Sequence, residues 1–242
     1  MALVTGGSRG LGADLCRRLA VLGAHVVVNG RDSAAVQTIV DEIVRSGGSA
    51  AAGVADASDG HAVAHLRQSC EQRFGPVSLL ALFAGGGGEL EPFVDTSRAR
   101  WDAIVNANLT TTFAVLHEFL PGMIARQDGA VVTMASSAAR QPARSSAAYA
   151  AAKGAIVTLT RHLAIEAAPY HVRINCVAPS AIVTDRIAAL PEHVRQNIAK
   201  SFPLGRLGDP ADVSQAALYL LSSLSGWITG VTLDIAGGKV VG

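Results

Sequence analysis

Short apolar, β-branched runs alternate with longer helical patterns from one end of the 242-residue chain to the other. The runs are ALVT (2–5), HVVVN (25–29), AAAGVA (50–55), LLALF (79–83), AVVTM (130–134), VRINCV (172–177) and GVTLDI (230–235). Helical patterns follow at 11–22, 33–46, 58–74, 97–120, up to residue 168, and 211–221. Strands that are apolar throughout are buried on both faces, as in a parallel sheet covered by helices. Right-handed crossovers then wind the chain on both sides. The expected fold class is therefore α/β: one domain over residues 1–242, a Rossmann-type doubly wound parallel sheet flanked by helices on both faces. Ligands of such sheets sit beyond the carboxyl ends of the strands, so the loops that follow them are where chemistry is sought.

Composition removes several function classes. The formal net charge is +1, with no basic stripe of the kind a nucleic-acid binder carries. No apolar run approaches a membrane span. The N-terminal MALVTGG has neither the charged region nor the long apolar core of a secretory signal. Cys16, Cys70 and Cys176 are far apart and form no metal-binding spacing, so they read as small buried apolar residues in a reducing compartment. No metal site and a cytoplasmic location are expected. Half the residues are apolar and mean hydropathy is +0.34, which points to some surface buried between subunits.

Two short stretches carry chemistry. TGGSRGLG (5–12) follows the first strand and opens a helix. Glycines there let the backbone approach a pyrophosphate, and the helix start offers unpaired N–H groups to it. A glycine cluster alone is often only a tight turn; inside a βαβ unit it points to nucleotide binding. The spacing of Gly6, Gly10 and Gly12 is T-G-x-x-x-G-x-G. In SSAAYAAAKGA (145–155), Tyr149 and Lys153 stand four apart among small residues, on one helix face. Chance pairs at this spacing are common. A neighbouring ammonium favours the phenolate and would lower the pKa of Tyr149.

These motifs, in this order, resemble the short-chain dehydrogenase/reductase family over nearly the whole chain, and 3-oxoacyl-carrier-protein reductases and related ketoreductases within it. The resemblance implies a cofactor half at 1–135, a catalytic and substrate half at 136–242 and a lid at 180–205. It implies that Gly6, Ser8, Arg9, Gly10, Leu11, Gly12, Arg31, Asp56, Ala57, Ala84, Gly85, Tyr149, Lys153, Pro179, Ile182 and Thr184 bind a nicotinamide dinucleotide. Ser136, thirteen residues before Tyr149, would orient the substrate oxygen, with Ser137 as its rival. Asn108 would hold a water that links Lys153 to solvent, with Asn106 as its rival and a helix cap or core amide as the bland reading. Where NAD-preferring relatives carry an acid the chain has Gly30, followed by Arg31, and Arg9 lies in the glycine loop. Two guanidiniums suit a 2′-phosphate, hence NADPH/NADP+ rather than NADH; both can equally be solvated surface residues, and Asp32 stands one position beyond, as a possible ribose partner.

The chain departs from the family at three places. LFAG (82–85) replaces N-N-A-G and runs on as a glycine stretch, PS (179–180) replaces P-G, and IAGG (235–238) lacks the acid of V-D-G-G. Arg140 and Arg144, between Ser136 and Tyr149, are candidates for an acidic substrate or a carrier protein, or are plain surface arginines. The expected activity is NADPH-dependent reduction of a ketone, 3-oxoacyl or polyketide-like, to a secondary alcohol, with Tyr149 as proton donor. The alternatives are a dehydrogenase oxidising an alcohol, sugar or steroid, and a non-catalytic dinucleotide sensor. The partner is a small carbonyl substrate, with no nucleic acid and no membrane; relatives imply a homotetramer or dimer through the helices at 97–120 and 147–168.

Overall fold

The computed structural model describes residues 1–86 and 90–240. Gly87 and Gly88 of the glycine stretch lie outside the described residues. Seven parallel strands form one sheet: β1 (Ala2–Thr5), β2 (His25–Gly30), β3 (Ser49–Val54), β4 (Leu79–Leu82), β5 (Gly129–Met134), β6 (Val172–Pro179) and β7 (Thr232–Ile235). Their order is β3-β2-β1-β4-β5-β6-β7, so the winding reverses between β1 and β4, the usual ligand crevice of an open α/β sheet.

The sheet is covered on both faces, which is why its strands are mostly apolar on both sides rather than alternating. In β1, Ala2 and Val4 face one core and Leu3 faces the other. The first core takes α1 (Gly10–Val21), α2 (Ser33–Arg45) and α9 (Pro210–Leu221) through Leu15, Leu19, Val36, Ile39, Val213 and Leu220. The second takes α3 (Gly60–Phe74), α5 (Thr111–Arg126) and α6 (Ala147–Ala167) through Val63, Leu66, Leu116, Phe119 and Ala164. Cys16, Cys70 and Cys176 are free and buried within these layers. No helix among the described residues is long and apolar enough to cross a membrane.

Two segments differ from the sequence reading. The pattern at 97–120 is not one helix: α4 (Arg98–Val105) passes into a π-turn, Asn106–Thr110, before α5 begins. Side chains take up carbonyls that the widened turn leaves open. Asn108 Nδ2 donates to Ile104 O at 2.9 Å, Thr111 to Asn106 O at 3.0 Å and Thr112 to Asn108 O at 2.8 Å. The lid region holds two short helices, α7 (Asp185–Ala188) and α8 (Glu192–Ala199).

The turn from β1 into α1 depends on Gly6, at φ +65°. A Cβ there would stand 2.9 Å from Ala84 N and from the Phe83 carbonyl. Both obstacles are backbone, so relaxation has to move β4 as well as β1. Gly6→Ala is expected to lower the thermal midpoint by several degrees, since each kcal/mol is worth about 2–4 °C in a domain of this size. Gly60→Ala, whose Cβ would meet nothing within 4 Å, is expected to leave the midpoint unchanged or raise it. Equal midpoints for Gly6→Ala and the unaltered chain would contradict this account of the turn.

Candidate active site

The loops after β1 to β4 and the end of β5 open onto one cleft of about 1030 Å³. Ser8, Arg9, Gly30, Arg31, Asp32 and Asp56 line one end; Gly85, Tyr149, Lys153, Thr184 and Arg186 line it too. Gly6, Leu11, Gly12, Ala57 and Ala84 also line it. Pro179 and Ile182 do not: Pro179 ends β6, and the Ile182 side chain is buried in the first core. Gly10, at φ +53°, is the first residue of α1.

The end of the cleft at the glycine loop combines open backbone with paired side chains. The N-cap of α1, Arg9, makes no side-chain cap bond, so the first N–H groups of the helix stay open to an anion. Beyond β2, the Asn29 amide donates to Gly53 O at 2.8 Å and Ala55 O at 3.2 Å, tying the ends of β2 and β3 together. Asp32 caps α2, accepting from Ala35 N at 3.1 Å. Its other oxygen stands 3.8 Å from Arg9, and Asp56 stands 3.8 Å from Arg31. The two arginine side chains are 71% and 79% exposed, so both pairs are loose and open to a competing anion. Hydrogen bonds from the Ser58 N–H and hydroxyl, more than the nearby Arg31, hold the Asp56 carboxyl below its ordinary range.

At the other end, Ser146 caps α6 by accepting from Tyr149 N at 3.3 Å, which sets Tyr149 in the first helical turn. Lys153, one turn on, is 3% exposed. Its ammonium donates to Met134 O, the last carbonyl of β5, at 2.8 Å and lies 5.7 Å from the Tyr149 ring centre. Burial pulls its pKa down to about 8. Tyr149 moves the opposite way from the sequence expectation. Burial raises its pKa, outweighing the hydrogen bond from Ser136 and the positive charge of Arg186; without a cofactor, Lys153 is not among the groups that lower it.

Of the two serines after β5, Ser136 is the partner of the Tyr149 hydroxyl, and its Oγ accepts from Ala138 N at 3.2 Å. Ser137 is buried and donates to Ser180 Oγ at 3.1 Å. Asn108 is fully buried in the π-turn, while Asn106 lines the cleft. The Asn108 amide nitrogen also donates to Gly86 O at 3.0 Å, and its Oδ1 has no partner. A Cβ on Gly85 would lie 2.6 Å from that Oδ1 and 3.4 Å from Lys153 Nζ, so the two polar atoms converge on the space a side chain would fill. Arg140 faces Asp234 on β7 at 3.1 Å; neither Arg140 nor Arg144 lines the cleft. Sequence reasoning missed Arg186, whose only signal was its place two residues after Thr184.

The family profile described as enoyl-(acyl carrier protein) reductase matches residues 6–239. The chain belongs to the short-chain dehydrogenase/reductase family. It is 31% identical to a 3-oxoacyl-[acyl-carrier-protein] reductase of Chlamydia pneumoniae, over 98% of this chain and 95% of that one. It is 32% identical to the 7α-hydroxysteroid dehydrogenase of Escherichia coli K12, over 99% and 93%. A solved 3-oxoacyl-[acyl-carrier protein] reductase of Brucella melitensis with bound NAD superimposes with a TM-score of 0.92 at 30% identity, covering 100% of this chain and 91% of that one. This short-chain dehydrogenase/reductase is thus an oxidoreductase acting between CH–OH and C=O with a nicotinamide dinucleotide. The residues present fit that group: an uncapped helix start, glycine-lined walls and two polar atoms, Asn108 Oδ1 and Lys153 Nζ, converging beside Gly85.

An unfolded lysine titrates near 10.5 and Lys153 at about 8, so folding expels its proton between those values. Below pH 8 the buried ammonium costs the fold about 3 kcal/mol, and stability from this group rises as pH climbs from 8 to 10.5. Lys153→Met removes that cost but leaves Met134 O without its donor, so at pH 7 its midpoint should stand a few degrees above that of the unaltered chain. The gap should close by pH 10.5. A gap of the opposite sign, or one that does not change with pH, would contradict this assignment.

Proposed function

We propose that this enzyme reduces a ketone, 3-oxoacyl or polyketide-like, to a secondary alcohol with NADPH. The observation that carries the reading is the Tyr149 phenol, which lines the cleft with Lys153, takes the Ser136 hydroxyl as its hydrogen-bond partner and has the Lys153 ammonium 5.7 Å from its ring centre. Burial keeps the phenol protonated at neutral pH, which suits a proton donor to a carbonyl oxygen. When bound, the reduced nicotinamide supplies the hydride to the carbonyl carbon. Tyr149 gives its proton to the oxygen, and the Ser136 hydroxyl donates a hydrogen bond to it as negative charge develops. The Lys153 ammonium stabilises the phenolate left behind. Asn108 Oδ1 and Lys153 Nζ can share a water beside Gly85 that returns the proton.

Three observations support NADPH over NADH. Arg9 and Arg31 are exposed and loosely paired at the adenosine end. Asp32 is engaged as the cap of α2. A side chain at Gly30 would start 2.9 Å from Ser8 Oγ and 3.0 Å from Val36 Cγ2, so a ribose-binding acid there would have to displace a neighbour. The second reading, alcohol oxidation with NAD, draws on the proximity of Asp32 to Arg9 and on the NAD-bound Brucella relative. Exposed Phe113 on α5 and Ile165 on α6 support a homotetramer built through those helices.

Ethyl 3-oxobutanoate serves as the probe ketone. Tyr149→Phe should lower NADPH-dependent turnover by roughly 10²–10⁴-fold while leaving NADPH affinity within about twofold. Turnover by the unaltered chain should stay level through neutral pH and fall only above the ordinary tyrosine value of 10, because burial raises this phenol. Unchanged turnover in Tyr149→Phe would sink the proton-donor role. Tighter binding of NADH than NADPH would move the oxidative reading to first place.

A further inference from the structure

Arg186 sits in the first turn of α7, two residues beyond Thr184, and lines the same cleft as Tyr149 and Lys153. Its guanidinium is close enough for its charge to act on the Tyr149 phenol. Among the described residues it has no hydrogen-bond or ion-pair partner. That sets it apart from Arg9 and Arg31 in the same cleft, each of which faces a carboxylate. The acidic residues lining the cleft, among those described, are Asp32 and Asp56, both paired at the adenosine end. Asp185, next to Arg186, is exposed and does not line the cleft. The catalytic end therefore carries two cations and, among the described lining residues, no anion.

The two cations are not equivalent. Lys153 is buried and spends a proton on Met134 O. Arg186 is exposed to the cleft with all its N–H donors open. A planar guanidinium with a free fork of donors matches a carboxylate, which it can grip with two parallel hydrogen bonds. An anion drawn into a cleft lined with positive charge also meets a focused field.

We propose that Arg186 is a specificity-determining residue that binds the carboxylate of an oxo acid whose ketone lies against Tyr149. The proposal rests on the ketone-reduction reading and narrows it: the substrate carries a free carboxylate within a few bonds of the reacting carbonyl. A neutral ketone of the same length leaves the guanidinium unsatisfied and enters more weakly. The pyrophosphate has its own site at the start of α1, so cofactor affinity does not depend on Arg186.

The test uses 3-oxobutanoate, 4-oxopentanoate and 5-oxohexanoate beside their methyl esters. Binding is read by calorimetry on Tyr149→Phe saturated with NADPH, where turnover does not interfere. At least one acid should bind ten-fold or more tightly than its ester, and adding Arg186→Gln should erase that difference while leaving the ester and NADPH within about twofold. In the unaltered chain, Arg186→Gln should raise KM for the preferred acid ten-fold or more with a smaller change in kcat. Acids that bind no better than their esters, or not at all, overturn the proposal. So does an Arg186→Gln variant that loses NADPH affinity, which would assign the residue to the cofactor. Failure of ketone reduction itself is read separately, from turnover of ethyl 3-oxobutanoate by the unaltered chain, and does not mimic either result.

Discussion

An ammonium group sits almost fully buried where the cleft meets the sheet, and several elements of the catalytic half meet at it. Lys153 reaches the last carbonyl of β5 because α6 begins at Ser146, whose capped first turn also aims Tyr149. The π-turn before α5 brings Asn108 alongside, and Gly85, with no side chain, leaves the space between them open. Burying a cation with one carbonyl for company is unfavourable, and its depressed pKa records that. The arrangement makes sense if a bound dinucleotide offers the ammonium further acceptors. The unpartnered Asn108 Oδ1 carries the same signature, a polar atom waiting for a partner that the chain does not supply.

The departures from the family pattern meet local compensations. Leu82 and Phe83, standing for two asparagines, are buried in the two cores. Nearby strand ends are joined by the Thr5 hydroxyl, which accepts from Ala84 N at 3.1 Å, and by the Asn29 amide, which donates to Gly53 O at 2.8 Å. Ser180, in place of glycine, takes a hydrogen bond from Ser137, and its N–H donates to Ile235 O at 3.0 Å. Asp234, two residues before the position that lacks the acid, holds Arg140. The loop that carries Ser136 is thereby tied to both β6 and β7.

The fold was legible because a parallel sheet covered on both sides demands largely apolar strands, and the chain repeats such runs with a helical pattern between them. The pair Tyr149 and Lys153 was legible because helix spacing alone puts them on one face. The π-turn was not, because it depends on where the side chains of Asn108, Thr111 and Thr112 find carbonyls, and apolar periodicity carries no trace of that. The direction of the Tyr149 shift was also hidden. A neighbouring charge can be read from spacing, whereas desolvation is a property of the folded cleft, and here it outweighs the charge. Arg186 escaped for a similar reason: an arginine in a lid looks like any surface arginine until the carboxylates around it are located.

The chain has three lysines, Lys153, Lys200 and Lys239, so side-chain carbon-labelled lysine gives a spectrum in which the buried one can be followed alone. The decisive measurement is the titration of that resonance with and without NADPH. The account predicts a midpoint near pH 8 in the cofactor-free protein, well below the ordinary lysine value of 10.5, and a higher midpoint once NADPH supplies acceptors and negative charge. Three lysines that all titrate at the ordinary value, unmoved by NADPH, would contradict it.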